Sequence, residues 1–336
     1  MIALWFGIWV FLWVMFFVTD GYDLGLGALL PLLGINETDR RLVLAAIGPF
    51  WDGNEVWLIA AGGMTFAAFP GAYAVMFSAL YTALMLVLAG LVARGVALGL
   101  REAARTDAEK KALDLVLAIS SLVLCILFGA AFANIFRGLP IDAGGAYHGS
   151  FFTLLNWYGL LGGVFFTVML AYHGSLWFLV KAPEGEAAAR ASKLARWLFV
   201  GTAGLASLFV FGAAVATDIP AVFPERPLLF IPLAAMVGGL VLSGHFTGQA
   251  DWKKAFVCSG LFIAGLLFTG FFGIYPAMLP SNLDPAFNVT AQQAASSPLT
   301  LKIMLVVAVI TLPIIFGYLW WVHRVFSGKM GEEDHY

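Results

Sequence analysis

The chain has 336 residues, of which 61% are hydrophobic and only 11% are charged, and its formal net charge is −2. A soluble domain is closer to half apolar and a quarter charged, so this composition indicates an integral membrane protein. The small negative net charge also argues against nucleic acid as a partner.

Nine apolar runs are each long enough to cross a hydrocarbon core about 30 Å thick, for which a helix needs roughly 20 residues. The runs are continuous rather than alternating, and open strands cannot satisfy their backbone in lipid, so we predict helices. They cover about 4–30, 43–69, 72–98, 114–136, 151–180, 197–217, 227–247, 255–279 and 301–325. We therefore expect an all-α membrane protein with a single integral membrane domain over residues 1–336.

The lysines and arginines are distributed unevenly between the connections. Fourteen of the 18 follow odd-numbered runs, Arg94 lies inside the third run, and only Arg137, Arg226 and Lys302 fall on the opposite side. Cytoplasmic connections carry the excess of positive residues in membrane proteins. The pattern therefore predicts an N-terminus outside and a C-terminus in the cytoplasm.

Four carboxylic acids lie at membrane depth in the first two runs. Asp20 and Asp23 stand in TDGYDLG at residues 19–25, and Asp52 and Glu55 stand in GPFWDGNEVW at residues 48–57. A charged side chain at a helix centre costs about 2.5–3.5 kcal/mol on insertion scales, so such residues normally face a polar interior or a partner. The predicted topology puts Asp20 in the cytoplasmic third of the bilayer, Asp52 about 14 Å deep and Glu55 about 18 Å deep.

The order Asp23, Asp20, Asp52, Glu55 thus descends from the cytoplasmic surface to mid-membrane. Carboxyl groups at graded depth suit a proton relay, because each can hold or pass a proton when burial disfavours its charge. Two alternatives stay open: a structural polar network between the first two helices, and a packing contact with another subunit. Asp20 also stands where its side chain could cap a helix end.

Arg94 lies near the cytoplasmic end of the third run. Its long side chain either snorkels to the membrane interface or acts as the counter-ion of Asp23 or Asp20. The sequence leaves both alternatives open.

Glycines recur within runs one, two and five. Small residues let neighbouring helices approach closely in membranes, so we interpret these glycines as packing positions. They are Gly21, Gly25, Gly27, Gly62, Gly63, Gly159, Gly162 and Gly163.

The histidines matter because a redox protein of the membrane usually ligates haem through them. Of the five, His148, His245, His323 and His335 fall in loops, at helix ends or in the C-terminal tail, and only His173 lies well inside a run. No second histidine accompanies His173 four residues away, so we expect a satisfied polar residue there and no haem ligand. Neither the histidines nor the two cysteines have the spacing of a metal site.

Two helix exits on the outer side carry turn-forming residues. Residues 134–140 and 275–282 are rich in proline and polar residues, as is common at a membrane interface. Tyr275 and Asn282 either line a crevice there or belong to capped helix ends.

These motifs resemble subunit II of cytochrome bd-type quinol oxidases, a family shared with the cyanide-insensitive oxidases. The resemblance extends over essentially the whole chain. It rests on the first-helix segment 19–25, the long second-helix segment GPFWDGNEVWL at 48–58, and the segments 132–140, 151–156, 275–281 and 297–301.

The resemblance implies a nine-helix subunit of two four-helix bundles plus one helix, in the bacterial cytoplasmic membrane. Its partner would be a similarly folded subunit I, which carries the haems b558, b595 and d and the quinol site. The complex would oxidise quinol and reduce oxygen to water with protons taken from the cytoplasm. A structural quinone in this subunit and a small single-helix third subunit are also compatible with the resemblance.

For individual residues, the resemblance assigns Trp51 and Asp52 to a proton path near the subunit interface. Asp20 and Asp23 correspond to the acids of the first-helix signature. Glu55 stands where some relatives have an amide, which weakens its assignment as an obligatory relay. No catalytic residue and no quinone ligand is assigned in this chain.

Two other functions fit parts of the sequence. A secondary transporter would place its substrate site at the midplane, between interrupted helices of an inverted repeat. A purely structural assembly subunit would differ from a proton-conducting subunit only in the role of Asp52.

Overall fold

The computed structural model describes residues 1–330 and consists almost entirely of helices. In chain order they are α1 (Ile2–Leu33), α2 (Glu37–Ile47), α3 (Trp51–Ala68), α4 (Pro70–Ala79), α5 (Tyr81–Leu100), α6 (Asp107–Arg137), α7 (Trp157–Lys181), α8 (Glu186–Ala216), α9 (Ile219–Val222), α10 (Phe230–Gly248), α11 (Trp252–Ile274), α12 (Ala291–Ala294) and α13 (Pro298–Val325). Two short strands, β1 (Ala277–Leu279) and β2 (Val289–Thr290), pair antiparallel, and Ala277 lies opposite Thr290.

Eight of these helices are long and apolar enough to cross a membrane. They are α1, α5, α6, α7, α8, α10 with the turn before it, α11 and α13. The predicted all-α, multi-pass membrane architecture is confirmed. The count of nine crossings and the division into two bundles plus one helix stay predictions.

Two of the predicted runs are divided in the structure. The run at 43–69 consists of α2 and α3, separated by the turn at residues 48–50, and the run at 72–98 consists of α4 and α5, separated at Leu80. Pro49 lies in the first break, where its missing N–H cannot support a continuous helix. Pro70 is the first residue of α4, a position that proline favours.

The fifth predicted run begins too early. Residues 151–155 form a 3-10 turn, and α7 starts only at Trp157. The Asn156 side chain accepts hydrogen bonds from the N–H groups of Tyr158 and Gly159, at 3.1 and 3.0 Å. This N-cap fixes the helix start, which apolarity alone cannot locate.

The first helix lies at the centre of the fold and packs against α3, α6, α7 and α11. Its closest crossing is with α7, where a Cβ atom on Gly25 would lie 1.8 Å from the carbonyl oxygen of Leu170. On the other side of this crossing, a Cβ atom on Gly174 would lie 2.5 Å from the Leu26 nitrogen. Only glycine permits this backbone approach.

The other predicted packing glycines differ in what surrounds them. A Cβ on Gly162 would lie 2.5 Å from that of Ala133 on α6, in a tight contact between α6 and α7. Gly62 and Gly63 on α3 have no atom of another helix within 4 Å of such a Cβ. These two glycines therefore make no close packing contact within the described part of the chain.

Ion pairs hold the short helix α2 against the ends of the neighbouring helices α5, α6 and α8. Arg101, at the end of α5, lies 2.5 Å from Asp114 on α6 and 3.1 Å from Glu37 on α2. Asp39 of α2 pairs with Arg190 of α8. Partial burial alone would raise the pKa of Glu37, but the hydrogen bonds and charge of Arg101 outweigh burial and lower it.

We expect Gly25→Ala to destabilise the protein, because the added methyl group forces α1 and α7 apart. Overpacking of this kind typically costs about 1–3 kcal/mol. The measurement is the thermal midpoint of the purified protein in mild detergent. Gly204→Ala on α8, where nothing lies within 4 Å of the added atom, is the matched control. Equal midpoints for the two variants would contradict the packing argument.

Candidate functional site

A cluster of buried polar side chains joins α1, α3 and α5 within the apolar core. Asp20 and Asp23 are three residues apart on α1, a spacing that puts both on one side of a helix. Both are buried, with exposed fractions of 0% and 1%. Asn54 and Glu55 reach the cluster from the first two turns of α3, and Arg94 from α5.

Arg94 forms a two-fold contact with Asp20. Its Nη1 donates to Asp20 Oδ2 at 2.8 Å, and its Nη2 donates to Asp20 Oδ1 at 2.5 Å. Arg94 has an exposed fraction of 0%, so its side chain does not snorkel to the membrane interface. Parallel charge-assisted hydrogen bonds of this kind are strong and directional, and this pair fixes the rotation of α5 relative to α1.

Glu55 is the second carboxylate beside Arg94. Its Oε1 lies 3.5 Å from Arg94 Nη1 and has no hydrogen-bond partner among the described residues. The Glu55 side chain is 20% exposed, whereas Asp20 and Arg94 are enclosed. Glu55 is therefore attached to the cluster by charge alone and lies at its open edge.

Asn54 connects the second acid of α1 to the cluster. Its Nδ2 donates to Asp23 Oδ2 at 2.7 Å and to the Tyr22 hydroxyl oxygen at 2.8 Å. Asp23 Oδ1 and Asn54 Oδ1 are buried without a partner in the described structure. Sequence reasoning did not select Tyr22 or Asn54, although both stand inside the motifs that it singled out.

The cluster contains three carboxyl groups, Asp20, Asp23 and Glu55, but only one guanidinium group, that of Arg94. An uncompensated carboxylate is costly to bury. A cluster with more carboxyl groups than cations is therefore suited to holding a proton, and its partnerless oxygens provide the positions for one.

Asp52 does not lie in this cluster. It is on the exposed side of α3, and its carboxylate makes no hydrogen bond or ion pair to another described residue. Trp51 is half-buried, with its indole ring beside Gly95 of α5. Of the four predicted acids, the structure thus brings three together and leaves Asp52 on the neighbouring surface.

His173 has both ring nitrogens occupied. Nδ1 lies 2.6 Å from the Ser259 hydroxyl and Nε2 lies 3.0 Å from the Val18 carbonyl oxygen, and the ring stacks on Phe256. These contacts join α7 to α1 and α11 and do not fit an axial ligand of haem iron. Within residues 1–330, no three His, Cys, Asp or Glu side chains form a group that could hold a metal ion.

The other histidines also have local partners. His148 contacts Asp142, His245 contacts Gln249, and His323 donates to the Leu319 carbonyl oxygen. His335 lies outside the described residues.

We expect Arg94→Gln to destabilise the protein strongly, because it leaves the Asp20 carboxylate buried without its counter-ion. Breaking a buried ion pair from one side typically costs about 3–5 kcal/mol. The double variant Asp20→Asn/Arg94→Gln should recover part of the lost thermal midpoint. Arg105→Gln, which removes an exposed arginine beyond the end of α5, is the control. If Arg94→Gln and Arg105→Gln unfolded at the same temperature, the ion pair would be irrelevant to stability.

The comparison with protein families gives a match over nearly the whole chain. Residues 1–326 match the model of the cytochrome bd terminal oxidase subunit II family. In Bacillus subtilis, cytochrome bd ubiquinol oxidase subunit 2 is 35% identical, with 98% of this chain and 97% of the relative covered. In Escherichia coli, cytochrome bd-I ubiquinol oxidase subunit 2 is 34% identical, with 95% and 92% covered.

A solved structure gives the same fold. A chain of the bd oxidase from Geobacillus thermodenitrificans superimposes with a TM-score of 0.78, covering 97% of this chain and 98% of that one, at 14% identity. At such low identity the similarity concerns the fold alone. The family match and the relatives above 30% identity establish descent, and this chain belongs to the cytochrome bd terminal oxidase subunit II family.

Proposed function

We propose that this chain is the haem-free subunit II of a bd-type quinol:oxygen oxidoreductase in the bacterial cytoplasmic membrane. In this assignment it pairs with a haem-bearing subunit I and supplies part of the cytoplasmic proton path. Its relatives in Bacillus subtilis and Escherichia coli are named as subunits of ubiquinol oxidases. The observation that carries the proton path is the buried cluster of Asp20, Asp23, Glu55 and Arg94, next to Asp52 on the surface of α3.

The reaction needs protons inside the membrane. Each oxygen molecule takes up four electrons and four protons to form two water molecules. These protons have to cross a low-dielectric region, where a free ion is costly, so they move between groups that can bind them. Carboxyl groups that change between charged and neutral forms are suited to this task.

Glu55 can change its protonation state without disturbing its neighbours. When Glu55 is ionised, Arg94 lies 3.5 Å away and compensates its charge. When Glu55 is neutral, Arg94 keeps the two hydrogen bonds to Asp20 and stays compensated. In both states Arg94 keeps a carboxylate partner, so a change in the protonation of Glu55 does not leave the guanidinium charge uncompensated.

Asp52 would be the acid through which protons reach this cluster, with Trp51 beside it. Asp52 precedes Glu55 by three residues, which is about 4.5 Å along a helix. Beyond Glu55, the contacts of Arg94 with Asp20 and of Asn54 with Asp23 extend the polar track into α1.

The pairing with subunit I is supported by the position of Asp52. On α3 it shares an exposed stripe with Val56, Ile59, Gly63 and Phe66, at helical spacing. A carboxylate facing lipid costs about 2.5–3.5 kcal/mol near the bilayer centre on insertion scales. A partner subunit that covers this stripe would remove that cost, and Gly63 would let its helix approach closely.

The assignment of the haems to the partner comes from the family resemblance, and the engaged ring nitrogens of His173 agree with it. A structural quinone and a small single-helix subunit remain predictions from the resemblance alone. The alternative of a purely structural subunit has one observation in its favour, the two-fold contact of Arg94 with Asp20. No observation favours the transporter.

We expect Asp52→Asn to lower quinol-driven oxygen consumption by at least about ten-fold, since a proton-transferring group typically contributes factors of hundreds or more. The haem content and the visible spectrum of the purified complex should stay unchanged. Asp107→Asn, at the exposed start of α6, is the matched control and should retain full turnover.

Unchanged turnover in Asp52→Asn would refute the proton-path role and favour the purely structural subunit. A colourless chain that purifies without a haem-bearing partner, from cells that make the oxidase, would refute the assignment to the oxidase complex.

A further inference from the structure

Two cavities lie side by side at the end of the molecule opposite the lysine- and arginine-rich connections. One is polar, has a volume of about 380 Å³ and lies between the ends of α6, α8 and α11 and residues 280–288. The other is apolar, has a volume of about 310 Å³ and lies deeper, between α8, α9, α10 and α11. Phe136 and Ile219 line both, so the two cavities adjoin.

The polar cavity carries one cation and one anion that do not pair. Arg137, the last residue of α6, and Asp218, after α8, both line it. Neither side chain makes a hydrogen bond or ion pair to another described residue. Tyr275 and Asn282 line the same cavity, and Asn282 also donates to the Gly138 carbonyl oxygen. Both alternatives from the sequence are therefore found together: Tyr275 and Asn282 line a crevice, Tyr275 also caps the end of α11, and Asn282 ties the two loops together.

The apolar cavity has one polar atom in its wall that lacks a partner. Thr269 is 9% exposed, and its hydroxyl oxygen is buried without a hydrogen bond to any described residue. The remaining lining is aromatic and aliphatic, which favours hydrocarbon. A buried hydroxyl group without a partner is costly, so an acceptor on a ligand in this cavity would stabilise it.

The depth of Thr269 matches the ester region of a phospholipid. It lies five residues before Ile274, the end of α11, which is about 7.5 Å along the helix. A bilayer about 40–45 Å thick with a core of about 30 Å leaves an interfacial layer of about 5–8 Å on each side. With the end of α11 at the outer surface of the bilayer, the Thr269 hydroxyl would lie near the boundary where the glycerol esters of a lipid meet its acyl chains.

We propose that the two cavities together bind one zwitterionic glycerophospholipid, with a phosphoethanolamine head. The phosphate accepts from Arg137, and the ammonium donates to Asp218. An ester carbonyl accepts from Thr269, and one acyl chain fills the apolar cavity. The unpaired charges of Arg137 and Asp218 favour a lipid with a zwitterionic head. A neutral quinone head would leave both charges uncompensated, and a purely anionic head would place a negative charge beside Asp218.

The test is titration of the delipidated, intact oxidase complex with 1-palmitoyl-2-oleoyl phosphatidylethanolamine, followed by native mass spectrometry. We expect one saturable lipid on the wild-type complex. Arg137→Gln should weaken its binding about ten-fold, the order of one charge-assisted hydrogen bond. Ala213→Phe, which fills the apolar cavity, should abolish it. Lys302→Gln, which removes an exposed cation of α13 away from the cavities, should change nothing.

A second variant tests which lipid head the site prefers. Two lipids are compared on the same purified variant, so the yield of folded protein does not affect the result. Asp218→Asn should weaken the binding of phosphatidylethanolamine but not of phosphatidylglycerol, which has no amine. The proposal fails if the saturable lipid is equally strong in Arg137→Gln and Lys302→Gln, or if Asp218→Asn leaves the preference unchanged. It also fails if the complex instead retains a quinone, or only detergent, that Ala213→Phe displaces.

Discussion

The contact between Arg94 and Asp20 is the constraint on which the interior of this protein depends. Both groups have an exposed fraction of 0%, and neither could be buried there alone at acceptable cost. The pair sets the rotation of α5 against α1, and α1 is packed on its other sides by α3, α6, α7 and α11. Because Gly25 allows α7 to approach at backbone distance, α1 has little freedom to turn. The positions of Asp20 and Asp23 are therefore fixed by packing and charge together.

Such rigidity suits a cluster that exchanges protons. The distance from Glu55 to Arg94 has to be short enough for charge compensation and long enough to leave the Glu55 oxygen without a hydrogen bond. The structure has both properties, with 3.5 Å between the charged atoms and a partnerless Oε1. Asp23 is held in a similar way. Asn54 donates a hydrogen bond to one of its carboxylate oxygens, and the other oxygen has no partner among the described residues. The structural network and the proposed relay are thus not exclusive, because Arg94, which orders the core through Asp20, also lies close enough to Glu55 to compensate its charge.

The sequence predicts the class of fold well, because a continuous apolar run long enough for the bilayer has no alternative to a helix. It predicts helix ends less well, since these depend on single residues such as the Asn156 cap and the proline at 49. Membrane depth of the acids follows from residue counting, but their partners do not. Residue counting does not give the direction in which the Arg94 side chain points, since packing sets the rotation of α5. It also does not show that Glu55 joins the buried cluster whereas Asp52 stays on the surface. Two side chains that are three residues apart lie on adjacent parts of a helix surface. The neighbouring helices determine that Glu55 is largely enclosed and Asp52 is exposed.

That separation has a consequence for how the chain works in the proposed assembly. Asp52 lies on an apolar stripe of α3, where lipid would oppose its charge, whereas Glu55, one turn further on, has a counter-ion within the chain. On the proposed path, protons that reach the cluster through Asp52 would therefore pass a group whose environment is set by whatever covers α3. A covering subunit would exclude lipid from this carboxylate and could supply the polar groups that bring protons to it. The proposed path would then be complete only when the two subunits are joined.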